Sequence, residues 1–123
     1  MFYKVVKEDL SSLVMDYANN GLVVQYKQGE FVYADPELVK IGFGLFVFDC
    51  LEQARKYRLL DDIIFECEVE NILPKRETMG YFTRITKDEI LDNRDNLSAV
   101  CKLAMPLNSI MVVGVKLIRE VTP

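Results

Sequence analysis

Hydrophobic and polar positions alternate along this chain in short blocks, and the period of each block predicts its element. Phe2-Tyr3-Lys4-Val5-Val6-Lys7 is rich in β-branched and aromatic residues and is closed by the polar stretch from Glu8 to Ser12, so it predicts a strand ending in a turn. Residues 13–20 hold no sustained period and admit one helical turn. Asn19-Asn20-Gly21 supplies turn chemistry, after which Leu22 to Tyr26 resumes as strand. Lys27-Gln28-Gly29 then predicts a tight connection into Glu30-Phe31-Val32-Tyr33-Ala34, with the two strands paired antiparallel. Asp35-Pro36 stops this strand, and the glycines around Phe43 imply a backbone that turns sharply.

Leu45-Phe46-Val47-Phe48 is continuously apolar, the pattern of a strand covered on both faces. Asp49 with Glu52 three residues later predicts an N-cap and a helix over 49–58. Cys50, Leu51, Ala54 and Tyr57 would form its apolar stripe, while Arg55, Lys56 and Arg58 complement the dipole of its last turn. Next, Ile63, Phe65, Cys67 and Val69 alternate with Ile64, Glu66, Glu68 and Glu70, a strand with one apolar face and one face bearing carboxylates. Pro74 and Lys75-Arg76 mark a loop, and Tyr81 to Ile85 a short strand. Thr86 with Glu89 forms a second capping box, predicting a helix from Lys87 to about Asn93. Leu97 to Met105 fits a helical face better than a strand. Ile110 to Ile118 is the final strand, where Gly114 marks a bulge or a close approach.

These elements predict a single α+β domain spanning residues 1–123. Its mainly antiparallel twisted sheet would have about five to seven strands, with one amphipathic helix at 49–58 and one or two short helices within 86–105. A length of 123 residues suits one core. The net charge of −4 argues against an extended phosphate-binding surface; it allows a basic partner, set against the plainer reading as a solubility feature. No apolar run approaches the ~18–20 residues that span a bilayer, so a cytoplasmic protein is expected.

The chain contains no histidine, so Ser-His-Asp and Cys-His catalysis cannot be built from it. Cys50, Cys67 and Cys101 have no ligand spacing and are odd in number; reduced thiols, no metal and no cofactor are the expectation. Two candidate sites remain. Tyr17, Tyr26, Tyr33, Phe43 and Tyr57 surround the glycine-containing segment in sequence, close to three cations. From these, Tyr26, Tyr33, Phe43, Arg55 and Arg58 are the candidate ligand-binding set for a base and its phosphate, set against a plain reading as packed core. Glu66, Glu68 and Glu70 are the alternative acidic site, able to tune a general base or hold a cation, set against a solvated strand face. No residue is singled out as catalytic.

The order of the Tyr3-Lys4-Val5 strand, Tyr26 with Gly29, Gly44-Leu45-Phe46-Val47-Phe48-Asp49 followed by Ala54, Ile64-Phe65-Glu66-Cys67, and Met105-Pro106 before a valine-rich strand resembles a group of small phage and prophage proteins. That resemblance implies a compact α+β roll and an accessory role: binding a host defence protein or sequestering a small, nucleotide-like ligand. The Glu-x-Glu pairs also look faintly like ADP-ribosyltransferase folds, which implies a nucleotide-dependent enzyme as the alternative. That family's first-strand arginine is absent, the charged positions there being Lys4 and Lys7, and its Ser-Thr-Ser element is reduced to Ser11-Ser12. A purely structural homo-oligomer subunit is the second alternative.

Overall fold

The computed structural model describes residues 1–12, 23–75, 86–97 and 107–122. The expected helical turn at 13–20, the strand at 81–85 and most of the helix at 97–105 lie outside these residues, as do Tyr17 and Cys101. The described elements follow the order β1 (Phe2–Val6), β2 (Phe31–Tyr33), α1 (Pro36–Val39), β3 (Leu45–Phe48), α2 (Leu51–Tyr57), β4 (Ile63–Ile72), α3 (Lys87–Asp92) and β5 (Ser109–Glu120). The chain is therefore a small α+β domain built on a five-stranded antiparallel sheet.

The sheet runs β2-β5-β3-β1-β4, and β4 returns to pair with β5, so four strands close on themselves with β2 attached to β5. Closure removes the open edges a flat sheet would leave. The two long strands make it possible: β4 binds β1 through residues 63–67 and β5 through residues 65–72. Likewise β5 gives its first residues to β3 and its later ones to β2. Inside the closed sheet lie Val6, Tyr26, Leu45, Val47, Phe65, Cys67, Val112, Val115 and Leu117.

Two smaller clusters fill the outside. Under α2, Ala54 packs on Val5, Phe48 and Ile64, with Tyr57 against the rings of Phe46 and Phe48. Beneath α1 and α3, Leu38, Phe43, Ile90 and Met111 form the other. β3 is thus covered on both faces, as its unbroken apolar run predicts. β4 departs from strict alternation at its start, because Ile64 is buried under α2 while its neighbour Phe65 is buried inside the sheet. The wet face begins only at Glu68, since the Glu66 side chain beneath Arg119 is 14 % exposed.

Other expectations are corrected by particular hydrogen bonds. The N-cap of α2 is Cys50, with no side-chain cap bond, rather than Asp49. The Asp49 amide instead donates to the Asn108 carbonyl at 2.9 Å, extending the β3–β5 pairing by one residue and delaying the helix. Residues 24–26 do not pair with β2. They lie beside residues 10–12, joined by Ser12 N to Val24 O at 2.8 Å and Tyr26 N to Leu10 O at 2.9 Å. The Lys27–Glu30 turn is stitched to β5 through Gly29 N and Leu117 O at 2.9 Å, which directs β2 onto β5. At α3 the capping box forms as predicted, the Glu89 amide donating to Thr86 Oγ1 at 3.1 Å.

Candidate functional site

Side chains alternate along a strand, so the residues of β4, β5 and β2 that face outward share one surface. On β4 these are Glu66, Glu68 and Glu70. In register, Glu70 lies opposite Gly114, Glu68 opposite Lys116 and Glu66 opposite Arg119. The last pairing depends on a register shift between Glu66 and Cys67, where β5 carries Ile118 as an extra residue. Without that bulge Ile118, not Arg119, would stand opposite Glu66. Arg119 Nε donates to Glu66 Oε2 at 2.7 Å, whereas Lys116 and Glu68 stand 4.0 Å apart.

Across β5, Tyr33 on β2 lies opposite Gly114. A Cβ at position 114 would come within 2.8 Å of Tyr33 Cε1, so the missing side chain is what lets the ring lie over the strand. The close approach expected at Gly114 is therefore real, and the bulge sits elsewhere. The Tyr33 phenol reaches Glu70; partial desolvation, followed by its hydrogen bond and charge interaction with that carboxylate, raises its pKa above the ordinary value of 10.0. Tyr33 remains 53 % exposed and stacks on Phe31 at 6.0 Å between ring centroids, and Lys116 Nζ lies 5.8 Å from the Phe31 centroid. An open face results, carrying two aromatic rings, three carboxylates and two cations.

The structure thus joins two sites that the sequence presents as alternatives: Tyr33 and the glutamate ladder occupy one face. The rest of the aromatic set is dispersed. Tyr26 is buried inside the closed sheet and Phe43 in the α1–α3 cluster. Arg55 and Arg58 come together at the end of α2, where they line a shallow hollow of about 270 Å³ with Leu59 and Leu60. Phe31, Lys116 and Arg119 are additional members of the open face. Their signal is the outward phase of the last strand, which Gly114 and Lys116 share until the bulge shifts it.

Lys4 is the other residue with an unforeseen role. It shares its strand face with Phe2 and Val6, so period two already directs it to the core. Only 4 % exposed, it donates from Nζ to the Phe46 carbonyl at 2.6 Å and lies 5.4 Å from the Tyr26 ring centroid and 5.8 Å from that of Phe46. Burial lowers its pKa to about 8, the Cys67 sulfur acting weakly in the opposite direction. Burial likewise pushes the Cys67 thiol up to about 12, which makes it a packing residue rather than a nucleophile.

Among the described residues no group of three or more histidine, cysteine, aspartate or glutamate side chains is placed to hold a metal ion. No helix there is long and apolar enough to cross a membrane. No protein-family model matches the chain, and no curated protein and no solved structure is significantly similar to it.

Proposed function

We propose that the protein is a non-enzymatic binding protein of the phage or prophage accessory type. It would act in the cytoplasm of the host cell by occupying a host protein through the β2-β5-β4 face. The observation that carries this reading is the placement of Tyr33 over Gly114 against Glu70, which sets an exposed aromatic ring beside a row of carboxylates on a closed, rigid sheet. Aromatic anchors held by a scaffold contribute strongly to binding, and a ring edged by carboxylates favours lysine or arginine side chains of a partner. The internal pairs leave room for such a partner: exposed ion pairs contribute about 1 kcal/mol or less, so incoming cations can replace Lys116 at Glu68.

The glutamates support binding more than group transfer. Glu68 and Glu70 stand on an open face and Glu66 is occupied by Arg119, whereas transfer chemistry needs walls that exclude water around the reacting atoms. A carbodiimide joins carboxylates to amines without a spacer and therefore tests the reading. Treated in a bacterial lysate, the protein is expected to cross-link through Glu68 or Glu70 to lysines of one host protein. The complex rebuilt from the two purified proteins should weaken roughly 30-fold on Tyr33→Ala, corresponding to about 2 kcal/mol. Cross-links confined to other faces, or an unchanged affinity of a folded Tyr33→Ala variant, would refute it.

A further inference from the structure

We infer that the chain pairs with a second copy of itself about a two-fold axis passing through Leu59 and Leu60. This interface lies at the corner between α2 and β4 and is independent of the sheet face proposed above. The two leucines are 76 % and 88 % exposed, the highest values for large apolar side chains among the described residues. They stand on a fixed turn. Asp62 Oδ2 accepts from the Leu59 amide at 2.9 Å, the Asp62 amide donates to the Leu59 carbonyl at 3.0 Å, and Arg58 Nη2 donates to the Leu60 carbonyl at 3.3 Å. Two leucines ordered in water gain nothing in the monomer; against an apolar neighbour, each removes its side chain from solvent.

The charge around them selects the occupant. Arg55 and Arg58, which precede the leucines, line the shallow hollow together with them. Directly after the leucines in the chain, Asp61 and Asp62 meet the end of β1 in a second hollow, lined also by Lys7, Glu8 and Asp9. Four carboxylates there outweigh one amine, so the sign of charge reverses from the residues before the leucine pair to those after it. A partner of a single sign would match one half and be repelled by the other. In a two-fold interface residue i meets j while j meets i, so the patch complements itself: Arg55 and Arg58 of each copy face Glu8 and Asp61 of the other. The patch is compact, which makes the dimer weak and sensitive to salt.

Sedimentation equilibrium with two charge-reversed variants tests this. One is Arg55→Glu with Arg58→Glu; the other is Glu8→Lys with Asp61→Lys, which leaves the Asp62 turn contacts in place. Each alone should be monomeric at concentrations where the unaltered chain dimerises, and an equal mixture of the two should recover the dimer as a heterodimer. The dissociation constant of the unaltered dimer should rise at least about tenfold between low and high salt. A chain that stays monomeric to about 1 mM, or folded variants that fail to pair when mixed, overturns the inference. Should either charge variant lose its fold, Leu60→Ser decides. Its side chain lies outside the core, and a dimer unaffected by that change also overturns the inference.

Discussion

A lysine enclosed by a closed sheet sets a specific relation between stability and pH. Lys4 titrates near 8 in the folded chain against 10.5 ordinarily. Between these values the unfolded chain binds more protons than the folded one, so unfolding free energy rises with pH across that window. Stability is correspondingly lost as pH falls through about 8, where the buried amine must charge. Replacing Lys4 with Met removes that cost. The variant is expected to be more stable at pH 7, on the order of 1–3 kcal/mol, and to lose the rise in stability between pH 8 and 10. Urea unfolding of both proteins across that range measures it; a Met variant less stable at pH 7 would mean that the contacts with Phe46, Tyr26 and Cys67 outweigh desolvation.

At the scale of elements, the sequence shows most clearly those segments whose signal is local. The continuous run of β3, the apolar stripe of α2 and the Thr86 capping box each depend on residues a few positions apart, and each forms. The cap of α2 and the partner of β2 are decided by β5 and the residue before it, more than 50 residues away from Asp49, through Asn108 and Leu117. The site follows the same rule: the glutamate ladder is readable from period two, but its meeting with Tyr33 requires a glycine on a third strand. The expected aromatic pocket is dispersed because Tyr26 and Phe43 are buried in two separate core clusters. Two substitutions test these dependencies. Thr86→Ala should cost about 1 kcal/mol by removing the Glu89 cap, measured by thermal melting. Gly114→Ala should displace the Tyr33 ring and return its phenol titration toward the ordinary value, followed by ultraviolet difference spectra; a Tyr33 titration unchanged in a folded variant would show that the ring does not depend on the glycine notch.

For the whole molecule, closure of the sheet separates a rigid interior from two surfaces with different chemistry. The β2-β5-β4 face carries aromatic rings beside carboxylates, while the α2–β4 corner carries leucines between opposite charges. Because the strands of the face are paired on both sides of β5, the rings and carboxylates are held in fixed positions, which lowers the ordering cost of binding. Singly replacing Glu66, Glu68 or Glu70 with Gln should weaken the partner complex less than Tyr33→Ala, since an exposed carboxylate such as Glu68 contributes about 1 kcal/mol or less and Glu66 is already engaged by Arg119. The account rests most directly on where the partner lands. Amide chemical-shift mapping with the cross-linked host protein, once purified, should show its largest changes in β2, in β4 from Glu66 to Ile72 and in β5 from Gly114 to Arg119, with the amides of α1 and α3 unmoved. Largest changes in α1 or α3, with those three strands unchanged, would contradict it.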